Sequence, residues 1–369
     1  MKKFMYLAVL AGVALVGCTK NERTTELIDS QKEITFTTPV LALNTKADNI
    51  INGTVFPKTS DFSVFAYYSE DNFTSTNTTI STYMNNVKVV NAPYENGTAG
   101  DDGGWHAENA YYWPKNTNSK LTFDAYYPTD LSFTSTASNG LALNDYVTPT
   151  TAATQKDVLF ADRAYNKTYS DQTTDSNPNY DGVDIKFNHA MSVVHINVVA
   201  ANAAAQSAIK VKSICLHNIS LKGSFSQTLA ADWTSVTSSQ WTVDYGALDN
   251  YYAKPAATDF ASAEAISSTT PAKYGEEMIV LPQAFNTSNA TIEVVYYIQN
   301  GGTTGPVVEQ NYTFELKGTN HVNSGTSAQI DKWEMGKRYT YNITFSVNEI
   351  FLAPSVGAWD EVNVNVPQI

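Results

Sequence analysis

The chain has 369 residues, of which 43% are hydrophobic and only 16% charged, with a formal net charge of −13 and two cysteines. An acidic surface with no basic stripe repels phosphate backbones, which argues against nucleic acid as a partner, and two cysteines cannot build a disulfide framework. The low charge is filled in by Thr, Ser, Asn and Tyr, a composition that suits strands and Asx-rich turns rather than long helices.

Lys2 and Lys3 precede an apolar run from Phe4 to Val16, the charged and hydrophobic regions of a bacterial export signal. As a helix this run rises only about 20 Å against a bilayer core of roughly 30 Å, too short to span. Leu15-Val16-Gly17-Cys18 resembles the lipobox of bacterial lipoproteins. The resemblance implies that residues 1–17 are removed and that the Cys18 thiol carries a diacylglyceryl thioether. Acyl chains such as palmitate then hold the protein at the outer membrane, each buried CH₂ contributing about 0.8 kcal/mol. No other apolar stretch approaches the length of a membrane span, so this lipid is the expected membrane contact.

Residues 18–31 are polar and aperiodic and read as a tether. Glu33-Ile34-Thr35-Phe36-Thr37 then alternates as a half-buried strand with Ile34 and Phe36 on its apolar face. Lys46 and Ala47 stand in a polar segment after it, open to a protease that cuts after basic residues; an ordinary loop lysine is the other reading.

Strand signals follow at Phe62–Tyr68, Tyr83–Val90, Glu108–Trp113, Leu121–Tyr127, Asp157–Phe160 and Val183–Val199, the last broken near His189-Ala190. Their spacing and turns suit sandwiches rather than βαβ units. Between Asp171 and Gly182 lies an oxygen-rich loop in which Asp175, Asn177, Asn179 and Asp181 alternate as in a calcium loop. Tyr180 stands where that loop needs Gly and Lys186 where it needs Glu, so a solvated turn is favoured and no metal is expected.

Ala200–Ser207 is a small-residue stretch read as the boundary between domains at 32–202 and 203–369. The second half repeats the pattern at Ile209–Leu216, Ile219–Phe225, Trp241–Tyr245, Glu277–Leu281, Thr291–Ile298, Val307–Phe314 and Tyr339–Val347. A weakly patterned excursion spans Asn250–Lys273. Near the C-terminus Val362, Val364 and Val366 alternate with Asn, the pattern of a strand with one apolar face.

Catalytic constellations are missing. The five histidines make no His-Glu-x-x-His pair, and there is no Gly-x-Ser-x-Gly elbow or phosphate-cradling glycine loop. His189 and His195, on one strand face, would lie about 20 Å apart, too far for one metal ion. Cys215, inside Ile214-Cys215-Leu216, reads as a small core residue. No catalytic residue, cofactor or metal site is expected. Trp105, Tyr111, Tyr112 and Trp113 suit stacking on sugar rings as well as strand packing, which keeps a lipid-anchored surface glycan-binding protein as the alternative function.

Taken in order, Thr45-Lys46-Ala47, Ala110-Tyr111-Tyr112-Trp113-Pro114, Leu121-Thr122-Phe123-Asp124-Ala125-Tyr126-Tyr127-Pro128, Gln155-Lys156-Asp157-Val158-Leu159, Phe187-Asn188-His189-Ala190-Met191-Ser192, and Trp333, Gly336 and Tyr339-Thr340-Tyr341-Asn342-Ile343 resemble the fimbrillin family of Bacteroides-type bacteria, the Mfa-like relatives of the major fimbrial subunit. The resemblance implies an all-β fold of two transthyretin-like β-sandwich domains in tandem and a role as a subunit or adhesin of a surface fimbria. It further implies a lipid anchor at Cys18, proteolysis between Lys46 and Ala47, and a departing strand carrying Ile34 and Phe36. Val362, Val364 and Val366 would be the donor strand inserted into another pilin subunit by donor-strand exchange. Lys46 departs from the arginine commoner at that site. Host or microbial surface ligands would be the further partners of an adhesin.

Overall fold

The computed structural model describes residues 32–41, 55–91, 104–116, 118–171, 182–266, 269–317, 322–323, 328–347 and 350–358. Among these the regular structure is nearly all strand, with only short helices, as the composition implies.

The first large sheet has nine strands. Phe62–Ser69 lies between Ser81–Asn91 and Lys120–Tyr127. Outside these come Trp105–Ala107 on one flank, and Leu159–Ala161 followed by Lys186–His189 on the other. The two ends of this order, Thr35–Phe36 and Val40–Leu41, belong to one segment of chain. Residues 32–41 therefore close the sheet on itself and remove two open edges, a device that suppresses edge-to-edge association. Beneath it pack Phe36, Phe56, Phe62, Trp105, Phe123 and Phe187.

The second half forms a sandwich. In one sheet Ser192–Ala200 runs parallel to Lys337–Phe345, which in turn pairs antiparallel with Ile350–Ala358. In the other, the 21-residue strand Ile209–Leu229 pairs with Val236–Tyr252 on one side and with Thr291–Gln299 and Gly140–Val147 on the other. Alternate residues face inward, as the strand period of two requires: Val194, Ile196, Tyr341 and Ile343 from one sheet meet Leu216, Ile292 and Val294 from the other.

The break expected near His189-Ala190 is the point where the chain passes between sheets, since Lys186–His189 belongs to the nine-stranded sheet and Ser192–Ala200 to the sandwich. Ala190 and Met191 are buried there in a third core with Phe65, Tyr126, Phe133, Phe225, Ile279 and Leu281, which packs the two halves together. Ala200–Ser207 runs into the short helix Ala203–Ala208, started by the Asn202 side chain accepting the Ala205 N–H at 2.9 Å.

Other details depart from the sequence pattern. The strand expected at Glu108–Trp113 lies earlier, at Trp105–Ala107. Ile209–Leu216 and Ile219–Phe225 are one strand whose register shifts where Asn218 adopts a left-handed backbone, φ 58°. The hairpin Thr134–Thr136/Gly140–Val147 leaves the first half of the chain to join the second sheet system. It is tied back by Arg163, whose fully buried guanidinium bridges both carboxylate oxygens of Asp124 at 2.8 and 2.6 Å and donates to the carbonyls of Thr136 and Ala137.

Candidate functional site

The segment 32–41 is held in two different ways along its length. At its start, Ile34 N–H donates to Tyr111 O at 2.7 Å and Trp113 N–H to Lys32 O at 2.8 Å. Thr35 and Phe36 then pair antiparallel with His106 and Trp105. On the opposite side Val183 N–H donates to Thr35 O at 2.9 Å and Thr37 N–H to Val183 O at 3.1 Å. Farther on, Val40 and Leu41 pair in parallel with Lys186 and Phe187. The segment is thus gripped between residues 105–113 and 183–187, which its removal would leave as two facing edges.

The side chains follow the predicted alternation. Ile34 and Phe36 have 0% exposure, and Phe36 meets the rings of Phe62 and Phe123 edge-on, both at 5.8 Å. Burying such a side chain contributes about 1.5–3 kcal/mol. Sequence reasoning missed Gly182, on the wall of this slot. A Cβ placed on Gly182 would lie 2.5 Å from the backbone N, Cα and C of Phe36, so only glycine lets the strand lie this close. The signal was present as a glycine opening the alternating Val183, Ile185 and Phe187, but it ended an Asx-rich loop and read as a turn.

Cys18, Lys46, Ala47, Val362, Val364 and Val366 lie outside the described residues. So do Asp175, Asn177, Asn179 and Asp181 of the oxygen-rich loop. Cys215 is buried in the long strand, and burial pushes its thiol up to about 12, the condition of an inert core residue. His189 and His195 occupy different sheets. The buried His189 Nδ1 lies 2.8 Å from Asp157 Oδ2, whereas His195 Nδ1 lies 2.9 Å from Glu277 Oε1, with Arg338 on the same carboxylate oxygen. Among the aromatic group, Trp105 has 0% and Trp113 6% exposure, so neither presents a ring face to a sugar. Strand packing is their role.

An all-β chain in which one N-terminal segment completes a sheet from both sides defines a strand-complemented β protein. A sequence profile described as fimbrillin-like matches residues 45–359, and the chain belongs to that family. Among solved structures, a candidate cell adhesion protein from Bacteroides uniformis is 18% identical, covering 90% of this chain and 99% of its own, with a TM-score of 0.49. A fimbrial protein from Bacteroides vulgatus is 16% identical, covering 88% of this chain and 100% of its own, with a TM-score of 0.46. The tip fimbrial protein Mfa3 from Porphyromonas gingivalis is 10% identical, covering 87% and 99%, with a TM-score of 0.34. No curated protein matches the chain. Among the described residues no helix is long and apolar enough to cross a membrane.

Proposed function

We propose that the chain is a fimbrial subunit or adhesin exported as a lipoprotein and assembled by strand exchange. Cys18 carries the lipid that brings the precursor to the outer membrane. Cleavage between Lys46 and Ala47 frees the segment with Ile34 and Phe36, and a strand from another subunit, with Val362, Val364 and Val366 as its apolar face, refills the slot in the fimbria. The observation that carries this reading is the doubly gripped segment 32–41: its loss exposes unpaired N–H and C=O groups on both sides of an aromatic groove, a surface that a second strand satisfies. The two-domain division at 32–202 and 203–369 belongs to the same reading, and the passage of the chain from the nine-stranded sheet into the sandwich at Ala190-Met191 supports two separate sheet systems.

Limited trypsin digestion of the purified precursor, followed by unboiled electrophoresis, tests it. A cut after Lys46 together with a ladder of multimers is expected. An intact chain, or a clean cut that yields only monomer, overturns strand exchange.

A further inference from the structure

A shallow, open groove of ≈ 370 Å³ lies between strand Val236–Tyr252 and the connections at residues 282–284 and 332–335, its volume within the size range of small-ligand sites. Strand alternation puts Trp241, Val243 and Tyr245 on one face, each half-buried, so the strand offers an aromatic stripe that the protein's own core covers only in part. The indole is fixed in advance. Its Nε1–H donates to Ala190 O at 2.7 Å, and the rings of Tyr146 and Phe225 pack against it, each at 5.7 Å between centroids. Tyr245 ties the strand to the opposite wall, its hydroxyl accepting the Ala284 N–H at 3.0 Å. The rim is polar: Gln240 is exposed, and Lys332 and Glu334 form an exposed ion pair at 3.0 Å.

We propose that this groove binds a neutral saccharide of one or two pyranose rings. A pyranose has an apolar C–H face that stacks on a held indole and a ring of hydroxyls that both donate and accept, and this lining supplies a partner for each. Trp241 gives the platform, the Gln240 amide and the Glu334 carboxylate accept, and Gln240 and the Lys332 ammonium donate. Other ligand classes fit less well. A purely apolar molecule leaves the rim unused. A phosphate or nucleotide meets one ammonium already neutralised by a carboxylate, on a chain of net charge −13. The assignment goes beyond the assembly reading and holds whether or not strands are exchanged; it moves sugar recognition from the buried Trp105 region to the opposite half of the chain.

The test titrates the full chain with glucose, galactose, mannose, their N-acetylamino forms and simple disaccharides, read by saturation-transfer NMR and tryptophan fluorescence. At least one should saturate with a millimolar dissociation constant, and Trp241→Ala should abolish the signal. Because Trp241 also packs on Phe225, Gln240→Ala and Glu334→Gln serve as rim variants: each should bind about fivefold or more weakly with an unchanged melting temperature. Silence across the panel, rim variants that bind like the parent chain, or an extended peptide that occupies the groove while no saccharide does would overturn the proposal.

Discussion

The segment 32–41 and the strand Ile209–Leu229 show two ways to hold a strand in one molecule. The long strand is laddered along most of its length, through local register shifts, with Val236–Tyr252 on one side and Thr291–Gln299 and Gly140–Val147 on the other. The N-terminal segment has only two short paired stretches, Thr35–Phe36 and Val40–Leu41, joined by isolated backbone bonds. What it lacks in ladder it makes up in side chains, since Ile34, Phe36 and Leu41 are all buried. A ladder is undone bond by bond along a cooperative sheet, whereas a segment held by two or three apolar anchors can leave as a unit. The first arrangement suits a permanent core, and the second is compatible with the strand departure proposed above.

Removing the main anchor breaks this contrast most severely. Phe36→Ala empties a site enclosed by Phe62 and Phe123 and should cost about 3–5 kcal/mol. Amide hydrogen exchange after the substitution should show lost protection at residues 34–37 and at Val40 and Val183, with the sandwich core around Leu216 and Val294 unchanged. Equal loss in both halves would mean that the segment is no more separable than the long strand.

Gly182→Ala attacks the same segment without touching its own sequence. The added methyl meets Phe36 backbone at 2.5 Å and cannot rotate away, so the strand must shift; the expected loss is about 1–3 kcal/mol in urea denaturation. The corresponding site in the long strand is Asn218, whose left-handed backbone suits Asn or Gly. Asn218→Ala should cost about 1 kcal/mol and Asn218→Gly less, although the residue sits in the longest strand of the molecule. If Asn218→Ala exceeded Gly182→Ala, the ladder of the long strand would be the more fragile of the two.

Most of this contrast was legible in sequence, with physical limits on where it was. Alternation placed Ile34 and Phe36 on one apolar face because a strand's period of two survives any tertiary context. The all-β class and the break at His189-Ala190 were readable for the same reason. The slot's far wall was not, because Val183 meets Thr35 and Thr37, and Ile185 meets Val40, across a sequence separation that no local pattern encodes. Trp105 offered two readings, since an indole that stacks on sugar and one that fills a core have the same local sequence, and only its packing against Phe56 and Phe62 decides between them. Asn202, by contrast, marks a helix start inside a small-residue stretch whose composition equally suits a domain boundary.

The smallest predicted effect bears on how tightly the N-terminal segment is docked. Glu33 bridges Tyr112 at the start of the segment and is half-buried; burial pushes its carboxyl above the ordinary value of 4.5, while the nearby His106 pulls it partly back. A raised value in the folded state means that folding favours the protonated acid. Its stabilising contribution is present below 4.5 and is lost as pH rises through the raised value, so at neutral pH the charged carboxylate weakens the docked strand. Glu33→Gln removes that penalty while keeping the shape and a hydrogen-bonding head. The variant should therefore melt above the parent chain at pH 7, and the two curves should converge as pH falls through 4.5. Parent and variant melting alike at pH 7 would remove Glu33 from any part in loosening the segment. The expected gap would mean instead that the N-terminal segment is held less tightly at neutral pH than its apolar anchors alone allow.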